Sequence, residues 1–247
     1  MTRTALVTGG AQGIGAAIVE TLASRGYRVA ILDLDPDATA KAAAQYDAAV
    51  ACPCDVSDPN AVEAVFEGLD FVPDLVVNNA GIVRFGALHE QSLEDFTKVV
   101  AVNLNGVYFV TRSAVTRMLP RGSGHVISLT SINVYGPGPN SGAYPASKAG
   151  VKQLMRQCTL EYGESGLRFN SIAPGFIDGG MSAPIFADPR VREVRSGGVP
   201  IKRLGKPSDI AEAVAFLDSE GGNYINGHDL VVDGGVINAV LKNLPRN

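Results

Sequence analysis

The chain has 247 residues, 46% of them hydrophobic, and its 21 Lys and Arg stand against 25 Asp and Glu for a formal net charge of −4. That length suits one large α/β domain with a core that needs neither disulfides nor metals. With no basic run to track a phosphate backbone, nucleic acid is excluded as an expected partner.

In chain order, Ala5–Thr8 reads as a strand, entered without a charged leader or a long apolar stretch before it. Gly9, Gly13 and Gly15 follow in the run TGGAQGIG, ahead of a helix over Ala16–Arg25. Glycines there permit a tight turn and let the backbone approach a pyrophosphate, which amide donors and the positive end of the helix then hold. A ligand-free turn would use the same residues. The second strand, Arg28–Asp33, ends on Asp33, eighteen residues after Gly15. An acid at that place accepts from a ribose 2′-hydroxyl and repels a 2′-phosphate. Its alternative task is to cap the helix Ala38–Gln45, for which Asp35 and Asp37 serve equally well. No Lys or Arg lies between Val29 and Lys41, so NAD is expected rather than NADP.

Further strands are expected at Ala48–Cys52, Leu75–Asn78, His125–Thr130, Arg168–Ala173 and Asp229–Val232, and helices at Ala61–Phe66, Leu93–Met118, Ala146–Tyr162 and Asp209–Leu217. Short apolar runs alternating with helical periods are the pattern of parallel strands joined by crossover helices. Several runs are apolar throughout, as strands buried on both faces should be. The expected fold is therefore a single Rossmann-like α/β domain, a doubly wound parallel sheet of about seven strands with helices on both faces. The irregular, Gly-, Pro- and Arg-rich stretch at about 176–206 reads as a flap. Cys52, Cys54 and Cys158 are odd in number and lack CxxC spacing, so they read as reduced thiols. His89, His125 and His228 are scattered, and no metal is expected. Apolar runs such as Val99 to Val102 fall far short of the roughly 20 residues a bilayer crossing needs, and the expectation is a soluble, cytoplasmic protein.

Tyr144 and Lys148 are four apart and so share one face of a helix, where a cation can sit beside a phenol. A free phenol titrates near pH 10, and a neighbouring ammonium favours the phenolate a general base requires. Tyr144 could equally be an ordinary buried aromatic, Ser131 a strand-end cap and Asn103 a satisfied helix amide.

Taken together, TGGAQGIG, Asn78-Asn79-Ala80-Gly81, Asn103 in VNLNG, Ser131 thirteen residues before Tyr144, Lys148, Pro174-Gly175 and the closing Val232-Asp233-Gly234-Gly235 resemble the short-chain dehydrogenase/reductase family over nearly the whole chain. The resemblance implies a nicotinamide-dependent oxidoreductase that moves hydride between its cofactor and an alcohol or ketone. Tyr144 would be the acid/base, Ser131 the donor to the substrate oxygen, Lys148 a holder of the nicotinamide ribose and Asn103 the anchor of a water relay. Cofactor contacts are expected from Gly9, Gln12, Gly13, Ile14, Gly15 and Asp33, from Asp55 and Val56 beside the adenine, from Asn79, Ala80 and Gly81 against the adenosine ribose, and from Tyr144, Lys148, Pro174, Gly175 and Ile177. Substrate contacts are expected from Ser131, Asn133, Tyr144 and Phe176, with Ile132, Val134, Tyr135, Met181, Ile185 and Phe186 nearby. These mostly apolar residues suit a secondary alcohol, a cyclic ketone or a steroid-like ring better than a free sugar.

Two departures from the family pattern stand out. Gly179 occupies the place of a threonine that usually holds the nicotinamide carboxamide, so that contact must come from backbone, from Ser182, or be absent. The connection from Asp55 to Asn78 is short, which implies a trimmed third helix. The resemblance also implies pairing of the two long helices across a dyad, with Val236, Ile237, Val240 and Leu244 covering a neighbour, hence a homotetramer or homodimer. Two other readings remain: an NADP-dependent 3-oxoacyl-[acyl-carrier-protein] reductase, docking through Arg192, Arg195, Lys202 and Arg203, and a catalytically silent NAD(H) sensor or scaffold.

Overall fold

The structure, a computed structural model, describes residues 2–239; Val240 and Leu244 of the expected tail contact lie outside them. Seven parallel strands form one sheet in the order β3-β2-β1-β4-β5-β6-β7. They are β1 Thr4–Thr8, β2 Arg28–Asp33, β3 Val50–Pro53, β4 Leu75–Asn78, β5 Gly124–Leu129, β6 Leu167–Pro174 and β7 Asp229–Val232. The order reverses between β1 and β4, and such a switch point opens a crevice at the carboxyl ends of the strands.

Strand period decides which residues meet which helices. Leu6 of β1 packs on one face of the sheet with Val62 and Phe66, Val110 and Met118, and Val151 and Met155. Those residues come from α3 (Pro59–Gly68), α5 (Gly106–Met118) and α6 (Tyr144–Tyr162). Its neighbours Ala5 and Val7 turn to the other face, against Ile18 and Leu22 of α1 (Gly13–Ser24), Ala42 of α2 (Pro36–Ala43) and Ile210 and Val214 of α9 (Pro207–Leu217). The third helix spans ten residues, longer at both ends than the Ala61–Phe66 core that periodicity marks.

Two segments differ from expectation. The run expected as one helix, Leu93–Met118, is α4 (Leu93–Val100) and α5 joined by a π-helical turn over Ala101–Asn105. The stretch at 176–206 is not irregular throughout. It carries α7 (Ala183–Phe186) and α8 (Pro189–Gly198), the latter capped by Asp188, whose side chain accepts from the amides of Arg190 and Val191. Cys52, Cys54 and Cys158 are buried free thiols, and burial pushes each up to about 11.

The amino edge of the sheet is closed by a polar cluster. His125, at the start of β5, is buried between Asp218 (Nδ1 to Oδ1, 3.0 Å) and the amide nitrogen of Asn170 (to Nε2, 3.0 Å). Because the Asn170 Nδ2 can only donate, Nε2 accepts, and Nδ1–H donates to Asp218 from a neutral ring. Burial above all holds His125 below its ordinary 6.5. Below about that pH the unfolded chain takes up a proton that the folded ring resists. Stability is thus expected to be full above the unfolded value and to fall on acidification from pH 7 to 5, by at most about 1.4 kcal/mol per pH unit. Urea unfolding across that range should show the slope, and His125→Asn should flatten it; equal slopes in both proteins would remove His125 as its source.

Candidate active site

The glycine turn is built by close approach. Gly9 and Gly13 adopt φ of +62° and +58°, a region that disfavours side chains. A Cβ on Gly13 would stand 2.7 Å from the Cα of Gly180. Gly15 lets α1 settle onto the turn, since its Cβ would strike the Gly9 carbonyl oxygen. The turn is held from β4: the Asn79 amide donates to the carbonyls of Thr8 (3.0 Å) and Gly9 (2.9 Å). The Thr8 hydroxyl accepts from the backbone of Asn79 and of Ala80, each at 3.0 Å. Thr8 escaped the motif reading because it counted there only as the end of a strand.

Asp33 and Asp35 divide the two roles left open by sequence. Asp35 caps α2, accepting from Asp37 and Ala38. Asp33 faces the cleft, its carboxylate fixed by the amides of Ala11 (3.0 Å) and Leu34 (2.8 Å). Asp55 accepts from the amide and hydroxyl of Ser57, and the hydroxyl bond foremost holds its carboxyl below the ordinary range.

At the other end of the cleft, Tyr144 opens α6 and Lys148 follows one turn on. Lys148 is buried, its Nζ donating to the Leu129 carbonyl at 2.7 Å and lying 5.8 Å from the centre of the Tyr144 ring. Burial lowers Lys148 to about 8. Burial likewise raises the Tyr144 phenol, and only the hydrogen bond with Ser131 opposes that rise. The expected lowering of the phenol by the ammonium is therefore absent, because the cation is turned to a backbone carbonyl and is itself desolvated. Ser131 combines the two tasks that sequence left as alternatives: its Oγ accepts from the Asn133 amide at 3.1 Å and its side chain lines the cleft.

One continuous cavity of about 770 Å³ joins these ends. Its walls include Gly9, Gln12, Gly13, Ile14, Asp33, Asp55, Val56, Asn79, Ala80, Gly81, Pro174, Gly175 and Ile177 of the expected cofactor contacts, together with Ser131, Asn133, Tyr144, Lys148 and Phe176. Ile132, Met181, Ile185 and Phe186 line it as well, whereas Val134 and Tyr135 do not. Tyr135 is drawn away by a 2.8 Å bond to Asp229. Gly15 and Asn103 stand behind the wall. Asn103, on the π turn, is fully buried and clamps Ile82, accepting from its N–H at 2.8 Å and donating to its carbonyl at 2.9 Å, and it also donates to Ser147 at 3.2 Å. Its side-chain bonds are thereby used in structure, not turned to the cleft.

Arg84, Lys98, Ser182 and Arg195 also line the cavity; no motif marks Lys98 or Arg195. Gly179 lines it too, and a Cβ there would come within 2.8 Å of Pro207, which leaves no room for the threonine of the family pattern. A turn whose Cβ positions are closed to side chains, a fixed acid at the end of β2 and a long two-ended cavity fit a dinucleotide.

A family model described as Enoyl-(Acyl carrier protein) reductase matches residues 9–237. The chain is 39% identical over 240 residues to cis-4-hydroxycyclohexanecarboxylate dehydrogenase of Sinomonas cyclohexanicum, covering 94% of this chain and 96% of that protein. It is 35% identical over 246 residues to 2-(R)-hydroxypropyl-CoM dehydrogenase of Xanthobacter autotrophicus, covering 95% and 98%. The solved structure of levodione reductase superposes with a TM-score of 0.91 at 33% identity, over 96% of this chain and 98% of that one. Another solved relative, from Agrobacterium tumefaciens, holds NADP and matches at 33% identity with a TM-score of 0.86 over 96% of each chain. The chain belongs to the short-chain dehydrogenase/reductase family, NAD(P)-linked oxidoreductases acting on CH–OH groups.

Proposed function

We propose that the protein is an NAD(H)-linked dehydrogenase or ketoreductase that interconverts a secondary alcohol and a ketone on a mostly apolar, cyclic body. The observation that carries this reading is the single cleft with Ser131, Tyr144 and Lys148 at one end and the glycine turn and Asp33 at the other. A bound nicotinamide dinucleotide supplies the hydride acceptor for oxidation and the donor for reduction. Tyr144 takes the carbinol proton as the C–H bond breaks, and in the reverse direction returns it to the carbonyl oxygen. Ser131 donates to that oxygen and fixes its place. Lys148 would hold the ribose hydroxyls of the bound dinucleotide and steady the phenolate. Asn103 acts from behind, setting the loop at Ile82 and the first turn of α6 through Ser147. The segment 176–206 serves as the flap over the substrate end of this single nucleotide-binding domain, and Ser182 is the side chain available for the carboxamide.

Asp33 supports NAD over NADP. Its carboxylate is locked by two amides and no Lys or Arg stands beside it between Val29 and Lys41, so a 2′-phosphate would meet a fixed negative charge. Exposed Leu93, Phe96 and Tyr108 on α4 and α5 and Leu160 on α6 support pairing across a dyad, in a homodimer or homotetramer. Among the described residues no helix is long and apolar enough to cross a membrane.

Steady-state rates with NAD and NADP, against secondary alcohols, cyclic diols, hydroxysteroids and acyl thioesters, test the proposal. NAD-linked oxidation of a ring alcohol is the expected result, and NADP-linked reduction of a thioester would replace it with the carrier-protein reductase reading. Asp33→Asn is expected to cut the NAD/NADP ratio of kcat/KM by about tenfold or more, as removal of one charged hydrogen bond and its repulsion does. An unchanged ratio would take Asp33 out of the cofactor site.

A further inference from the structure

The charged groups on the cleft wall are unevenly matched. Its carboxylates, Asp33 at the end of β2 and Asp55 after β3, belong to the adenosine end, and no acidic residue of the flap lines the cavity. The flap contributes one cation, Arg195 on α8. Two other flap arginines are neutralised: Arg192 forks onto Asp178 at 2.6 and 2.9 Å, and Arg203 onto Asp209 at 2.6 and 2.9 Å. Arg84 pairs with Asp95 at 3.4 Å, and Lys98 stands near Asp55, whose carboxyl its charge helps to lower. Arg195 has no carboxylate partner among the described residues. Its guanidinium carbon instead lies 4.6 Å from the ring centre of Phe176, itself a wall residue. Held over an aromatic face and with no hydrogen bond from its nitrogens among the described residues, the guanidinium keeps its N–H donors for a carboxylate, which such a group takes in a two-bond fork.

We infer that the substrate is a hydroxy or oxo acid, an apolar body bearing a carboxylate remote from the reacting carbon, and that Arg195 receives that carboxylate. The inference rests on the oxidoreductase reading of the same cleft and narrows its substrate class. The body of the substrate lies against Ile132, Phe176, Met181, Ile185 and Phe186, which offer no hydrogen bonds from their side chains. Arg195 and Ser131 then fix the two polar ends, so that the acid sets which carbinol carbon reaches Tyr144.

The test is binding, separate from turnover. Cycloalkane carboxylates from cyclopropane- to cyclohexanecarboxylate are titrated into NADH-loaded protein beside their carboxamides, with NADH fluorescence as the readout. At least one acid is expected to bind about tenfold or more tighter than its amide, and added salt to narrow the gap. Arg195→Met should remove most of that preference and Arg195→Lys, which keeps the charge but not the fork, should restore part of it. The inference is overturned if no acid in the series outbinds its amide, or if the preference survives Arg195→Met. Turnover of 4-hydroxycyclohexanecarboxylate and its amide is followed in parallel. If neither reacts while the Arg195-dependent preference stands, the anion site holds and it is the ring-alcohol substrate of the proposed function that fails.

Discussion

Tyr144→Phe is expected to lower kcat by about 10²–10⁴, the range supplied by a positioned general acid or base, while NADH binds as in the wild type. The substitution deletes one hydroxyl and keeps the ring, so the packing at the head of α6 survives. A matched loss in kcat/KM is the mark of an interaction made in the transition state rather than in the ground state. Burial raises the phenol, so that Tyr144 is protonated at neutral pH. Oxidation should therefore accelerate with rising pH as the phenol ionises, and that dependence should vanish in Tyr144→Phe. Steady-state rates on any alcohol the enzyme turns over, with NADH titrated by fluorescence, make the comparison. A variant within a few-fold of wild type would strip Tyr144 of its role. Lys148→Met should differ in kind, weakening both kcat and cofactor affinity, if Lys148 holds the ribose and steadies the phenolate as proposed.

The sheet was legible because its strands are buried on both faces. The bounds of β2, β4 and β7 coincide with the apolar runs, and errors elsewhere are confined to one or two residues at a strand end. The π turn at Ala101–Asn105 was hidden, since one extra residue in a long helix barely disturbs its apolar period. That concealed what Asn103 does: its place in VNLNG marks it, yet only the structure shows its amide spent on Ile82 and Ser147. α8 was missed for the opposite reason. Its run PRVREVRSGG has no apolar stripe to count, although Asp188-Pro189 is a helix start by its chemistry, a cap followed by a residue with fixed φ. Missing α8 meant missing Arg195 as a wall residue. The reason for Gly179 lies with Pro207, twenty-eight residues on in the same flap-closing region, and no local pattern conveys such a contact.

Asp218→Ala tests the far side of the molecule, where stability rather than chemistry is set, and is expected to cost about 3–5 kcal/mol, the usual result of removing one partner from a buried charge cluster. Asp218 is the C-cap residue of α9, and its side chain is 1% exposed. Around it converge Arg3 (2.9 Å), the Tyr27 hydroxyl (2.7 Å), His125 Nδ1 (3.0 Å) and Arg168 (3.7 Å), drawn from the starts of β1, β2, β5 and β6. Burial pulls its carboxyl upward, but the bonds from His125 and Tyr27 and the charge of Arg3 outweigh that and hold it below its ordinary 3.8. The group therefore contributes stability above that value and loses it as pH falls further, an acid limb beneath the one set by His125. Alanine would leave His125 and Tyr27 without an acceptor and Arg168 without a counter-charge in a space water enters poorly. Against a total stability of about 5–15 kcal/mol, that loss is severe. Asp218→Asn, which keeps an acceptor for His125, should cost clearly less. Chemical unfolding at pH 7 of the three proteins, with NADH binding as a check on the opposite edge of the sheet, decides the matter. A loss below about 1 kcal/mol for the alanine variant would mean that solvent reaches the cluster and that the amino edge is not closed by it.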